Sequence, residues 1–128
     1  MKLKREIEIL ITNEDIDDIM VTALEGGINY WCIRCDVVGE YRGEYASEQI
    51  SRGGELNFKV MEKFEDGKDT YTLSKEKLLA GIETYLEWDL DIITRDTATE
   101  FALDACRIDG CRADMIVQYA LFGDLIYS

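Results

Sequence analysis

The 128-residue sequence has no histidine and no proline, and few of its charges are positive. Without histidine, the commonest general base and metal ligand is missing, which argues against hydrolases and nucleases that depend on it. Acidic residues outnumber basic ones by 27 to 14, for a formal net charge of −13. This charge argues against binding to a nucleic-acid polymer, which needs clustered cations. A few arginines gathered in one pocket could still hold a small anion.

Long apolar runs and linker-like segments are also missing from the sequence. Apolar residues never run on far enough to span a bilayer, so we expect no membrane segment. Acids interrupt the basic start at residues 1–8 and no apolar stretch follows it, unlike a signal peptide, so we expect a cytoplasmic protein. With no low-complexity segment and no repeat, residues 1–128 predict a single domain, large enough to bury about two thirds of its extended-chain surface.

The hydrophobic pattern predicts an α+β fold with a small antiparallel or mixed sheet and two to four packed helices. Alternating apolar residues predict strands at 2–11, 28–38 and 56–61, the last in a hairpin with 71–73. Apolar residues at helical spacing predict helices at 13–25, 46–52, 74–86 and 109–122. Aspartates interrupt any period in residues 88–106, which predicts an irregular segment. Residues 125–127 predict a last edge strand.

The four cysteines are spaced as Cys32-x-x-Cys35 and Cys106-x4-Cys111. Two such pairs are compatible with zinc, but residues three apart in a predicted strand point to opposite faces. We therefore expect reduced, mostly buried thiols, no bound metal ion and no cofactor. The sequence also lacks a phosphate-binding lysine loop, a nucleophile elbow and a histidine dyad, so it does not predict an enzyme.

The segment at residues 23–32, ALEGGINYWC, joins a helix end to a strand through two glycines, an amide and two aromatic residues. Tyr30 and Trp31 offer rigid faces on which a planar ligand can stack, and Asn29 can read a donor/acceptor edge. In the alternative, Tyr30 and Trp31 are the two faces of a buried strand.

Arginines near glycines, aromatic residues and helix ends are the candidates for binding an anion. Arg107 and Arg112 flank the predicted start of the last helix, where free backbone N–H groups and the helix dipole favour negative charge. They predict a pyrophosphate cradle, unless they pair with neighbouring acids such as Asp104 and Asp114. The full candidate set for ligand binding is Asn29, Tyr30, Trp31, Arg52, Arg107, Arg112, Asp114 and Gln118.

The last predicted helix is apolar on more than one side, at Met115, Ile116, Tyr119, Ala120 and Phe122. Such a helix must be covered on several sides, and a domain this small has few layers to cover it. We therefore expect a homo-oligomer, at least a dimer.

Four segments resemble a known family: IDDI at 16–19, ALEGGINYWC at 23–32, GEYASEQI at 43–50 and DMIVQYALFG at 114–123. Together they resemble the first-described Thoeris anti-defence family, small phage and prophage proteins that act as sponges for cyclic ADP-ribose signals. The likeness covers both ends and the centre of the chain and includes no catalytic motif.

The resemblance implies a protein of the host bacterial cytoplasm that binds glycocyclic ADP-ribose without cleaving it. Capture of this messenger would block the immune signal made by a TIR-domain enzyme, and some relatives also bind cyclic oligonucleotides. The resemblance further implies dimers that assemble into hexamers, with messenger pockets between protomers.

Two other functions fit parts of the sequence. The acidic charge would suit an anti-restriction or anti-CRISPR protein that acts by protein contact or DNA mimicry, although the acids here alternate with apolar and basic residues throughout. An enzyme that degrades the messenger would need reactive groups that the sequence does not show.

Overall fold

Three helices and two three-stranded sheets make up the structure, a computed structural model that describes residues 1–4, 6–97 and 100–128. The predicted α+β class is confirmed. The elements are β1 (Ile9–Leu10), α1 (Asn13–Thr22), β2 (Cys32–Val37), β3 (Leu56–Val60), β4 (Thr70–Leu73), α2 (Lys75–Leu86), β5 (Ile93–Arg95), β6 (Phe101–Leu103) and α3 (Gly110–Phe122).

One sheet is antiparallel, in the order β2-β3-β4, and contains the predicted hairpin. Its register places Phe58 opposite Cys35 on one side and opposite Tyr71 on the other. Leu56, Phe58 and Val60 are buried, as their alternation in the sequence predicts.

The second sheet has the order β1-β6-β5, with β1 parallel to β6 and β5 antiparallel to it. The prediction of an irregular segment at 88–106 is wrong here, because β5 and β6 form a short hairpin inside it. The predicted strand at 2–11 is reduced to Ile9–Leu10, the part that finds a partner in β6. Residues 5, 98 and 99 of these predictions lie outside the described residues.

The sequence predicts Asn13 as the cap of the first helix, but Asn13 is the first residue of α1, whose α-helical part ends at Thr22. Thr12, not Asn13, is the cap: its hydroxyl accepts the N–H of Asp15 at 3.1 Å. The helix then widens into a π-helical turn, Ala23–Gly27. Gly27 is needed there, because a Cβ at this position would lie 2.7 Å from the carbonyl oxygen of Gly110.

The predicted strand at 28–38 starts later than expected. The N–H groups of Trp31 and Cys32 both donate to the carbonyl of Ile28, at 3.1 and 2.9 Å, so residues 28–31 form a turn and β2 begins at Cys32. The predicted helix at 46–52 is likewise reduced to a single 3₁₀ turn, Ala46–Glu48.

Helices α2 and α3 pack closely, and each follows a capping side chain. Ser74 and Asp109 accept N–H groups from their own first turns, and Gly123 ends α3 with a φ of 74°. At the crossing, a Cβ on Gly81 would lie 2.7 Å from the Cβ of Ala120.

Beyond α3, residues 124–128 form a C-terminal tail without regular structure, so the predicted edge strand at 125–127 is wrong. The tail's N–H groups bond to a side chain of α3 instead of a neighbouring strand. In the part of the chain that the structure describes, none of the helices has both the length and the apolar character needed to cross a membrane.

Candidate functional site

A groove of about 860 Å³ opens between the turn that follows α1, the first two turns of α3 and the C-terminal tail. Its volume falls in the range of roughly 300–1,000 Å³ that is typical of small-molecule sites. Its walls are formed by Thr22, Glu25, Gly26, Gly27 and Tyr30, by Gly110, Cys111, Asp114 and Met115 of α3, and by Leu125, Ile126, Tyr127 and Ser128 of the tail.

The carboxylate of Asp114 is the centre of a hydrogen-bond network in the groove wall. Asp114 is only 6% exposed. Its Oδ1 accepts from the indole Nε1 of Trp31 at 2.6 Å and from the amide Nε2 of Gln118 at 2.9 Å. Its Oδ2 accepts from the hydroxyl of Tyr30. Three donors therefore satisfy this carboxylate, and they fix the side chains around it.

Gln118 joins this network to the tail. Its side chain is fully buried, and its Oε1 accepts the backbone N–H groups of Ile126 and Tyr127, each at 2.8 Å. Its Nε2 donates to Asp114 and lies 3.1 Å from the carbonyl oxygen of Tyr127. One amide thus holds the tail backbone through both its acceptor and its donor.

Trp31 is 1% exposed and is therefore a core residue, as in the alternative, although it lies in the turn before β2 and not in a strand. The ring of Tyr127 stacks on it, with the centroids 5.4 Å apart and the planes 4° apart. Phe122 meets the same indole edge-on at 5.6 Å. The tail therefore provides part of the cover that buries Trp31.

Tyr30 is 47% exposed and presents its ring to the groove, so it is not the second face of a buried strand. Partial burial, the hydrogen bond to Asp114 and the charge of that carboxylate together raise the pKa of Tyr30 to about 12. At neutral pH the phenol is therefore a fixed hydrogen-bond donor.

The predicted arginine cradle is not formed, because both of its arginines point to acids outside the groove. The guanidinium of Arg107 pairs with Asp104 at 3.2 Å, as the alternative predicts. Arg112 pairs with Asp89 at 3.0 Å and not with Asp114. Neither arginine is among the residues that line the groove.

Two further candidates lie elsewhere. Arg52 pairs with Glu48 at 3.4 Å beside the 3₁₀ turn, and Asn29 borders a separate shallow hollow next to β2. The structure thus brings together Tyr30, Trp31, Asp114 and Gln118 and leaves the other four candidates apart.

All four cysteines are free thiols, and two of them are exposed, so the prediction of mostly buried thiols is only half confirmed. Cys32 is buried and Cys35 half-buried, and burial raises the pKa of the Cys35 thiol to about 12. Cys106 and Cys111 are exposed, and Cys111 lines the groove. Among the described residues, no three His, Cys, Asp or Glu side chains are arranged to hold a metal ion.

Sequence reasoning missed the tail, above all Tyr127, as part of the site. Three apolar residues after a helix-ending glycine resemble an edge strand. The better signal is Gln118, a polar residue on an otherwise apolar helix, since a buried amide needs partners for all its polar atoms.

Comparisons of the chain with protein-family models, with curated proteins and with solved structures found no match.

Proposed function

We propose that the protein is a non-catalytic nucleotide-binding protein that captures a cyclic ADP-ribose isomer, glycocyclic ADP-ribose, in the groove. Capture withholds this messenger from its effector in the cytoplasm of the host bacterium, as the sequence resemblance implies. The groove is the observation that carries the proposal: it combines the volume of a small-molecule site, an exposed aromatic ring and a fixed set of hydrogen-bonding groups.

The groove offers different walls to the different parts of such a ligand. The ring of Tyr30 provides a face for the base or the ribose. Gly110 and Cys111 begin α3, a helix of 13 residues, and the capping side chain of Asp109 takes the N–H of Arg112 instead of theirs. Their N–H groups and the positive end of the helix dipole favour the phosphates.

None of the described residues that line the groove is a lysine or an arginine. Two phosphates held only by helix N–H groups would lack a counter-charge, so we propose that a second copy of the chain supplies cations across the groove. This proposal extends the expectation of a homo-oligomer. The apolar character of α3 is a weaker argument for it than the sequence suggests, because the apolar residues of α3 are buried or half-buried by their own chain. Light scattering tests it, and a single-chain mass at micromolar concentration contradicts it.

Two side chains of the groove, those of Asp114 and Tyr30, support binding without cleavage. Asp114 already accepts three hydrogen bonds, and the pKa of Tyr30, about 12, makes its phenol a poor base at neutral pH. We therefore expect stoichiometric binding of glycocyclic ADP-ribose in calorimetry and recovery of the intact compound after heat denaturation, identified by mass spectrometry. Absence of binding, or time-dependent formation of linear ADP-ribose, contradicts the proposal.

The exposed cysteines provide a matched test of where the ligand lies. Cys111 lines the groove, whereas Cys106 is exposed outside it. In Cys106→Ser protein, saturating ligand should slow the reaction of Cys111 with a thiol reagent at least several-fold. In Cys111→Ser protein, the same ligand should leave the reaction of Cys106 unchanged. Equal protection of both cysteines, or of neither, would place the ligand elsewhere.

A further inference from the structure

We infer that the C-terminal tail occupies an adenine-binding slot: the ring of Tyr127 lies where the ligand's base stacks on Trp31, and its backbone takes the hydrogen bonds that Gln118 offers to that base. This inference rests on the proposed function and adds the position of the base. It also implies that binding displaces the tail.

The aromatic geometry supports a slot for a planar ring. Among the ring pairs of the described residues, Trp31 and Tyr127 alone are parallel, at 4°, whereas Phe122 meets the same indole at 67°. A parallel, offset arrangement is the one that a nucleobase adopts on an aromatic side chain. Tyr127 therefore covers a face of Trp31 that a base would fit.

The hydrogen bonds of Gln118 support adenine as the planar ring. Its Oε1 accepts the N–H of Tyr127 at 2.8 Å, and its Nε2 lies 3.1 Å from the carbonyl oxygen of the same residue. The side chain thus pairs with one donor and one acceptor that lie next to each other. Adenine presents such a pair, an exocyclic amino group beside a ring nitrogen, and a glutamine amide reads it in a bidentate manner.

The side chain of Gln118 is also held in the orientation that this reading requires. Its Nε2 donates to the carboxylate of Asp114 at 2.9 Å, which fixes which end of the amide donates and which accepts. Because Asp114 binds the Trp31 indole as well, the stacking face and the hydrogen-bonding edge are positioned by one carboxylate. Neither of these two hydrogen bonds to Asp114 involves the tail.

The tail itself is a separable cover. It follows the left-handed Gly123, belongs to no strand among the described residues, and exposes Leu125 and Ile126 to solvent. Tyr127 is its one ring in the aromatic cluster. The slot beneath it is continuous with the groove, because Tyr30, Asp114 and Tyr127 belong to both.

The test uses adenosine as the probe and Trp31 as the fluorophore, in a Trp88→Phe background that removes the only other tryptophan. Removal of the competing ring by Tyr127→Ala should strengthen adenosine binding, read as quenching of Trp31, by about tenfold or more. Inosine, which has an oxygen in place of the amino group, should bind about tenfold more weakly than adenosine. The matched control is Tyr41→Ala, the same change at an exposed tyrosine that does not line the groove, and it should leave adenosine affinity unchanged.

Hydrogen exchange of the unaltered chain gives a second result that does not depend on the stability of a variant. Saturating glycocyclic ADP-ribose should accelerate exchange of the Ile126 and Tyr127 amides, which now bond to Gln118. Unchanged or slower exchange overturns the inference, as does folded Tyr127→Ala protein that binds adenosine no better than the parent. If glycocyclic ADP-ribose still protects Cys111 in either case, the proposed function stands and only the slot is wrong. If glycocyclic ADP-ribose does not bind at all, the proposed function is contradicted, whatever the adenosine measurements show.

Discussion

Replacement of Asp114 by asparagine tests whether the site is organised around one buried carboxylate. The substitution keeps the shape of the side chain, removes its charge and turns one acceptor oxygen into a donor. At present Oδ1 accepts from Trp31 and Gln118, and Oδ2 accepts from Tyr30. The hydroxyl of Tyr30 can rotate and accept from the new amide, so its bond is changed but not lost.

The cost therefore comes mainly from the two bonds that Oδ1 retains. A hydrogen bond to a charged group contributes about 1.5–3 kcal/mol and one between neutral groups about 0.5–1.5 kcal/mol, so each bond weakens by about 1 kcal/mol. We expect the free energy of unfolding to fall by about 2 kcal/mol in Asp114→Asn. In Asp114→Leu, the buried N–H groups of Trp31 and Gln118 lose their acceptor entirely, and the loss should reach about 3–5 kcal/mol.

Urea unfolding followed by circular dichroism measures these differences as changes in the midpoint at constant slope. A chain with a net charge of −13 gains some stability from the loss of any acid, so the control must remove the same charge. Asp18 is exposed on α1, and none of the described residues donates a hydrogen bond to it. Asp18→Asn should change stability by less than about 0.5 kcal/mol. If Asp114→Asn is as stable as Asp18→Asn, the carboxylate does not organise the site.

Three further predictions concern packing, alkaline pH and thiols. Gly81→Ala should lower the free energy of unfolding by about 1–2 kcal/mol, because the new Cβ would lie 2.7 Å from the Cβ of Ala120. Alanine is the better helix former, so a more stable variant would contradict the close crossing of α2 and α3. The pKa of Tyr30 is raised from about 10 to about 12 by folding, so folded protein holds this proton more tightly, and the stability it contributes is complete below pH 10 and lost between pH 10 and 12. Tyr30→Phe should therefore flatten that alkaline decline in unfolding experiments, and an unchanged decline would refute the assignment. At pH 8 a thiol reagent should modify the exposed Cys111 quickly and the half-buried Cys35, with its pKa of about 12, far more slowly. Equal rates would contradict the partial burial of the Cys35 thiol.

The parts of the fold that could be predicted from the sequence are those with local causes. Ser74 and Asp109 cap helices through their own side chains, and Gly123 ends one because it adopts a positive φ without strain. The β3–β4 hairpin follows from alternation within a few residues of a turn. Each of these signals involves neighbours in the chain, so one sequence was enough to read it.

The elements that were mispredicted depend on distant partners. β5 and β6 have only three residues each, and β6 pairs with β1 at the other end of the chain. Strands this short contain too few residues for their hydrophobic alternation to be recognised, and the aspartates on both sides interrupt the pattern further. The tail is the opposite case: its pattern suits a strand, but Gln118 takes the N–H groups that a strand would use.

The candidate site also has one part that could be predicted from the sequence and one that could not. Tyr30, Trp31, Asp114 and Gln118 lie in the segments that carry the resemblance, and they meet in one network. Arg107 and Arg112 lie at the predicted helix start, but nearby acids neutralise them outside the groove. With 27 acids in the chain, the partner of a given arginine cannot be chosen from sequence spacing.

Trp31 connects the two interpretations that the sequence left open. It is a core residue that Tyr127 covers, and in the proposed slot it is the surface on which the base stacks once the tail is displaced. The free energy that docks the tail then stabilises the free protein and opposes ligand binding by the same amount. Tyr127→Ala should therefore lower the melting temperature of the free protein and raise its affinity for adenosine together. If Tyr127 only packs against the core, its removal should lower the melting temperature without raising the affinity for adenosine. The two measurements on one variant therefore separate these roles.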